Sequence, residues 1–232
     1  MTAARTRGKL LWFALAAAIL TGFVDATGFL AFGRLFVASP DAGGIVAGVR
    51  LIDNLHAGLF AGGLILAFLV GVIITSLAAA QFPYHRRSIP LLGVGSFLLF
   101  AFLIEAIAPW AAVIVAAIAM GAVHGLFGKD ERPLREALMP TVQLVRFGEA
   151  LGGGKAGSRL SVVRHAALWL AFLAGGLSGA ASTVHAPGQS LAMAAVLALL
   201  LVFAAVLLDR SEAVDRRAAG DFDSDQDRKW NE

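Results

Sequence analysis

Six long apolar stretches, separated by short polar segments, dominate the pattern of hydrophobic and polar positions. They cover residues 10–32, 55–80, 89–107, 110–127, 165–183 and 190–208. About 20 consecutive apolar residues suffice for a helix to cross the hydrocarbon core of a bilayer. A helix of that length in a soluble protein has a polar face, and these stretches have none. The pattern therefore predicts an all-α membrane protein with six transmembrane helices.

Composition supports this class and excludes several kinds of site. Of 232 residues, 58% are hydrophobic and 15% are charged, whereas soluble domains have about 25% charged residues. The chain has no cysteine, which excludes disulfides, thiolate metal sites and cysteine nucleophiles. No Walker, dinucleotide or H-E-x-x-H motif occurs, so neither a cofactor nor a metal site is predicted.

The basic residues predict the orientation. Arg and Lys concentrate before the first stretch, between the second and third, between the fourth and fifth, and after the sixth. Only Arg34 and Arg50 fall on the opposite side. Because cytoplasmic loops carry the excess of Lys and Arg, both termini are predicted to be cytoplasmic. Topology thus explains the basic excess, and no nucleic-acid partner is expected.

An internal repeat relates the first three stretches to the last three. Residues 18–25 and 117–124 share Ala, Ile, Gly and Val at one offset. Residues 46–55 and 142–151 both fit V-x-x-V-R-x-x-acid-x-L. Two further matches follow in the same order at nearly constant spacing, which favours a true repeat over chance similarity of apolar sequences.

The repeat predicts how the chain is organised. A cytoplasmic N-terminus (1–9) precedes a first three-helix repeat (10–108) and a second one (109–209), and a disordered charged cytoplasmic tail (210–232) follows. Each half crosses the membrane three times, so the second half enters with opposite orientation. Such inverted-topology repeats are frequent in secondary transporters, whose sites lie near the midplane between the halves.

Each half also contains a short segment with an Arg and an acid three residues apart. These are Arg50 with Asp53 and Arg146 with Glu149, spaced so that each pair shares one helix face. Proline and glycine residues precede both segments, which suits re-entrant half-helices that point at a central solute site. Ion pairs that anchor the segments at the membrane surface are the alternative interpretation.

Asp25 lies about two-thirds of the way along the first apolar stretch, and the repeat places it opposite His124. An unpaired carboxylate at that depth costs a few kcal/mol. Asp25 is therefore a candidate for coupling to protons or for contacting a solute, and a structural tie to His124 is the alternative. His124 itself is either part of this site or a core histidine.

A short motif in the fifth apolar stretch suggests an enzyme hypothesis. Residues 176–179 have the G-x-S-G form of rhomboid intramembrane proteases, with Ser178 as the nucleophile. Such a serine needs a histidine base from another helix. His185 is poorly placed in a short loop, and His124 remains available from the fourth stretch. Helix packing by small residues explains the motif better, so the protein is not predicted to be an enzyme.

Several motifs resemble the YoaK family of uncharacterised bacterial multi-pass membrane proteins. They are the G-F-V-D-A-x-G-F-L stretch at 22–30, R-F-G-E-A-L at 146–151 and W-x-A-F-x-A-G at 169–175. The resemblance spans about residues 10–209 and implies a membrane fold in the bacterial inner membrane. It implies no settled activity.

Three departures from that family bear on function. Its Met-Thr-Gly-Asn-like stretch is replaced at 38–43, its Thr-Gly-Thr stretch is replaced at 139–143, and a Gln-Asn pair expected near Val123 and His124 is also replaced. These losses remove polar groups from the predicted site. They favour either a different ligand or a non-transporting membrane scaffold or regulatory protein.

The leading hypothesis is a secondary transporter or channel-like protein for a small polar or anionic solute. Asp25 would couple to protons, and Arg50 and Arg146 would favour anions. The scaffold is the alternative, and the intramembrane serine hydrolase is a remote one. The predicted partners are the lipid bilayer and a small solute, and the sequence leaves a homo-oligomer open.

Overall fold

All the regular secondary structure in the described part of the chain is helical. The computed structural model describes residues 2–82, 87–126, 136–153 and 159–207. The helices are α1 (Thr2–Ala31), α2 (Pro40–Asp53), α3 (Leu55–Gln81), α4 (Ser88–Glu105), α5 (Pro109–Gly125), α6 (Pro140–Leu151), α7 (Arg159–His185) and α8 (Ser190–Leu207). A 3₁₀ turn at Glu136–Leu138 precedes α6. The predicted all-α class is confirmed.

Five of these helices are long and apolar enough to cross a membrane. They are the Leu10–Ala31 part of α1 together with α3, α4, α7 and α8. The fourth predicted stretch forms α5, which is also apolar but has only 17 residues. At 1.5 Å per residue α5 is about 25 Å long, slightly less than a hydrocarbon core of about 30 Å. Many large apolar side chains point outward from the bundle, as expected where the surrounding medium is lipid.

Some sequence predictions fall outside the described residues. These concern the basic connections within 83–86, 127–135 and 154–158, and the charged tail predicted at 210–232. The orientation of the termini depends largely on these basic residues, so it stays a prediction.

The long helices pair across the two predicted halves. The helix α1 packs along α7, and α5 packs along α3. The short helix α2 lies on α3, and the short helix α6 lies on α7. The helix α5 also packs along α4, and most of its residues between 112 and 123 are buried. The first helix of each half therefore contacts the long helix that follows the short segment of the other half.

Glycines permit the close crossing of α1 and α7. A Cβ atom added to Gly22 would overlap the carbonyl oxygen of Phe172, and one added to Gly175 would overlap the carbonyl oxygen of Ile19. Small residues at helix crossings let backbones approach closely, which favours association where lipid removes the hydrophobic drive between helices.

The crossing of α3 and α5 uses the same arrangement. A Cβ atom added to Gly121 would overlap the carbonyl oxygen of Phe68, and one added to Gly71 would overlap that of Ile118. These four residues are the ones that match the α1–α7 residues in the sequence repeat. Both crossings thus depend on glycine at corresponding positions.

After α1 the chain reverses and returns along the same helix. Gly33 and Arg34 both adopt positive φ, at 70° and 63°, and make the turn. The returning segment packs closely against α1 at Gly28. A Cβ atom added there would clash with the side chain of Val37 and the carbonyl oxygen of Leu35. The chain therefore re-enters the bundle before α2 begins.

The α3 helix offers a matched test of these crossings. Gly71→Ala should destabilise the protein by about 1–3 kcal/mol, because the added methyl group meets the backbone of α5 and the two helices must separate. Gly62→Ala in the same helix has nothing within 4 Å of the new Cβ and should be neutral or slightly stabilising. Thermal unfolding in detergent measures both. Equal melting temperatures for the two variants would contradict the crossing.

Candidate functional site

A cavity of about 830 Å³ lies among α1, α3, α5, α7 and the first turns of the two short helices. Pro40 and Pro140, the first residues of α2 and α6, both line it. Proline suits the first helical position because that position needs no N–H. Two helix N-termini, one from each predicted half, therefore meet at one cavity.

Asp25 lines this cavity from α1 and is 4% exposed. Its carboxylate accepts hydrogen bonds from the backbone N–H groups of Val37 at 2.9 Å and Ala38 at 2.6 Å. It also accepts one from the hydroxyl of Ser39. These donors belong to the returning segment, so Asp25 anchors the start of α2.

The anchor also sets how deep α2 begins. Asp25 lies six residues before the end of α1 at Ala31, which is about 9 Å along a helix axis. The hydroxyl of Ser39 serves Asp25 and does not cap α2. The first turn of α2 therefore lies inside the bundle with no side-chain cap.

His124 lines the cavity from α5. Its Nδ1 bonds the carbonyl oxygen of Met120 at 3.0 Å, and its ring packs against Phe68 with centroids 5.0 Å apart. Among the residues that the structure describes, no hydrogen bond joins His124 to Asp25. The predicted alternative of a tie between these two is thus replaced by a tie from Asp25 to residues 37–39.

Arg50 and Asp53 lie at the other end of α2, away from the cavity. The Arg50 guanidinium donates to the carbonyl oxygen of Gly33. In the described chain it makes no ion pair with Asp53, which is exposed. Arg50 therefore closes the loop between the turn after α1 and the last turn of α2. In the described chain, this hydrogen bond to a backbone carbonyl takes the place of the pairing expected within α2.

Arg146 and Glu149 lie beside a second, smaller cavity of about 390 Å³. Arg146 pairs with Glu136 of the 3₁₀ turn, and not with Glu149 as the spacing suggested. His165 of α7 lines the same small cavity. Thr141 lines both cavities, so the two adjoin at the first turn of α6.

A buried polar contact that the sequence analysis missed joins α6 to α7. Gln143 donates from Nε2 to the carbonyl oxygen of Glu136 at 2.7 Å, and its Oε1 lies 2.8 Å from Nδ1 of His165. The repeat-related positions in the first half are Ala47 and Ala61, both buried. Two polar residues in one half opposite two alanines in the other was the signal that could have found this contact.

Asp41 is a second residue that the sequence analysis missed. It lines the main cavity from the first turn of α2 and is exposed. No described residue forms a hydrogen bond or ion pair with its carboxylate. An acid in the first turn after a proline was the available signal, since carboxylates are favourable at helix N-termini.

Ser178, the nucleophile of the hydrolase hypothesis, lies on α7. Its hydroxyl donates to the carbonyl oxygen of Gly175 in its own helix at 2.9 Å. It does not line the main cavity, and no described histidine bonds to it. The described geometry thus contains no serine–histidine pair at this position.

Comparison with known proteins bears on the whole bundle. The chain matches, over residues 13–205, the family model described as protein of unknown function DUF1275. The chain belongs to this family. No curated protein and no solved structure matches it. The DUF1275 match runs from α1 to α8, so both predicted halves and the cavity between them belong to one family unit. The range is close to the one over which the sequence resembles YoaK proteins.

The anchor made by Asp25 predicts a graded loss of stability in this DUF1275 protein. Asp25→Ala leaves the N–H groups of Val37 and Ala38 unsatisfied, at about 1–3 kcal/mol each. Asp25→Asn keeps one acceptor oxygen and should therefore lose less stability than Asp25→Ala. Asp53→Ala, on the exposed end of α2, is the control and should unfold like the native chain. Melting temperatures in detergent test this order. An Asp25→Ala variant as stable as the control would disprove the anchor.

The Gln143–His165 contact predicts non-additive variants. Either Gln143→Ala or His165→Ala leaves the other side chain buried without its partner. The double variant recreates the Ala–Ala pair of the first half. Its loss of stability should fall below the sum of the two single losses by about 0.5–3 kcal/mol. A double-mutant cycle of unfolding free energies measures this, and simple additivity would rule the contact out.

Proposed function

We propose that the protein is a secondary transporter or channel-like protein, with its solute site in the cavity between two inverted halves. The observation that carries this proposal is the cavity of about 830 Å³ at which both short helices begin. In secondary transporters, discontinuous helices whose N-termini point at a midplane site are a recurrent way to hold a solute.

The crossing contacts support the inverted repeat. Ile19 contacts Gly175 at the α1–α7 crossing, and Ile118 contacts Gly71 at the α3–α5 crossing. These are the same repeat positions with the halves exchanged. A two-fold relation between the halves accounts for this exchange, and it requires α5 to count as a sixth span.

The Asp25 anchor favours re-entrant short helices over interfacial ones. Residues 35–39 are not helical, and they reach the depth of Asp25, about 9 Å below the end of α1. Irregular backbone is tolerated at membrane depth only where protein or a wet cavity satisfies its polar groups. Asp25 supplies acceptors for the segment, and the main cavity borders it.

Asp25 gives the proposal a coupling mechanism. The same carboxylate lines the cavity and holds α2. A proton added to Oδ2 would turn this oxygen into a donor, oppose the hydrogen bond from the Ser39 hydroxyl and weaken the charge-assisted bonds to Oδ1, and so loosen the start of α2. Arg50 and Arg146 do not line the main cavity. We therefore do not propose the preference for anionic solutes that these two arginines suggested.

The proposal also includes the predicted location, the predicted orientation and the absence of enzyme activity. The protein acts in the bacterial inner membrane with cytoplasmic termini, which the basic residues and the YoaK resemblance support. It carries out no hydrolysis and needs no cofactor. A scaffold would have no use for a solute cavity between the halves. The size of the observed cavity, about 830 Å³, therefore weighs against the scaffold alternative.

Cysteine accessibility tests the proposal, because the chain has no native cysteine. Ala26→Cys on α1 and Ala180→Cys on α7 place a thiol at the cavity. In sealed proteoliposomes, a membrane-impermeant thiosulfonate should modify both from either side, since a transport site is reached alternately from each compartment. Ser178→Cys, on the outer surface of α7, is the matched control and should not react.

Two results would count against transport. If the cavity cysteines react from neither side, the cavity is closed and the scaffold hypothesis replaces the proposal. If they react from one side only, the cavity is a blind binding pocket.

A further inference from the structure

The size and lining of the main cavity fit an organic molecule better than a bare inorganic ion. Its volume of about 830 Å³ falls in the range of sites for organic ligands, about 300–1,000 Å³. Most of the side chains around it are apolar, including four phenylalanines: Phe29, Phe36, Phe68 and Phe172. The occupant therefore has a hydrocarbon or aromatic body.

The phenylalanines come from α1, the returning segment, α3 and α7. Phe29 and Phe36 form a tilted pair with ring centroids 5.3 Å apart. Phe68 on α3 and Phe172 on α7 occupy corresponding repeat positions in the two halves. The face of a phenyl ring carries partial negative charge and attracts a cationic head. It offers nothing comparable to an anion.

Two side chains that line the cavity, Asp41 and His124, have unused acceptor atoms. The carboxylate of Asp41 has no described partner. His124 bonds a carbonyl oxygen through Nδ1, so Nδ1 carries the hydrogen and Nε2 of the neutral ring can accept. The hydroxyl of Ser76 already donates to the carbonyl oxygen of Val72. A donor-rich group such as an ammonium matches these acceptors.

The charges point the same way. Asp25 and Asp41 are acidic, and no described lining residue is Lys or Arg. The N-termini of α2 and α6 oppose a cation, but each carries only about half an elementary charge. Together the two N-termini about equal the full charge of Asp41. The carboxylates of Asp25 and Asp41 together exceed them, so the lining is net negative.

We propose that the cavity binds a monovalent organic cation, a protonated amine on an aromatic or alkyl body, with Asp41 as its counter-ion. The apolar body lies against the phenylalanines, and the ammonium donates to Asp41 and to Nε2 of His124. This assignment rests on the proposed function, because it takes the same cavity as the solute site.

Two probes of similar shape and opposite charge test the assignment. They are 2-phenylethylammonium and 3-phenylpropanoate, each titrated by calorimetry into the purified full chain in detergent. The ammonium should bind saturably and the carboxylate should not. Asp41→Asn should weaken the binding of the ammonium about tenfold or more, because it removes a charge-assisted hydrogen bond. Asp53→Asn, the same change at the far end of α2, should leave binding within about twofold.

Protection from labelling locates the bound probe. Saturating 2-phenylethylammonium should slow the modification of Ala180→Cys and should not protect it once Asp41→Asn is added. Melting temperatures of the Asp41→Asn chain, without probe, show whether a loss of binding reflects unfolding. If Asp41→Asn is too unstable, Asp41→Glu, which keeps the charge, should restore binding.

Three results would overturn the assignment. They are tighter binding of the carboxylate, equal binding of the ammonium to Asp41→Asn and the native chain, and no binding of the ammonium at all. Labelling separates this failure from failure of the proposed function. If Ala180→Cys reacts from both sides but the ammonium does not bind, only the ligand class is wrong. If Ala180→Cys never reacts, both proposals fail.

Discussion

The hydrogen bonds from residues 37–39 to the carboxylate of Asp25 are the interaction on which the rest of the arrangement depends. Five residues of non-helical chain have to lie inside a bundle of apolar helices, where unsatisfied N–H groups are costly. Asp25 supplies acceptors for two of those N–H groups and for the hydroxyl of Ser39. This holds the start of α2 beside α1, and the cavity occupies the space between that start and the start of α6.

The surroundings of the cavity follow from how the long helices cross. Lipid tails are as apolar as the helix surfaces, so close backbone contact must replace the hydrophobic effect in holding helices together. Glycines at both crossings, Gly22 with Gly175 and Gly71 with Gly121, provide that contact. Beyond the crossings, the cavity lies between the long helices and the first turns of the two short helices.

The two predicted halves have the same order of long and short helices but different polar contacts. In the first half, Asp25 holds the returning segment and α2 packs on α3 beside small residues such as Ala47. In the second half, Gln143 bridges the 3₁₀ turn and His165 of α7. The two predicted halves thus present different side-chain chemistry. Asp41 on one short helix and Thr141 on the other illustrate this at the cavity itself.

The all-helical class, the apolar helices and the two short segments could be read from the sequence, because hydrophobic length and proline act locally along the chain. The lining of the cavity by Asp25 and His124 was also foreseeable, since the repeat aligns them. The actual partners of Asp25, Arg50 and Arg146 were not. A spacing of three residues shows which side chains can meet on one helix. Only the folded chain brings the carbonyl oxygen of Gly33 to Arg50 and the carboxylate of Glu136 to Arg146. The position of Asp41 at the cavity also depends on the fold. The chain reverses at Gly33 and Arg34, and this reversal carries α2 back into the bundle.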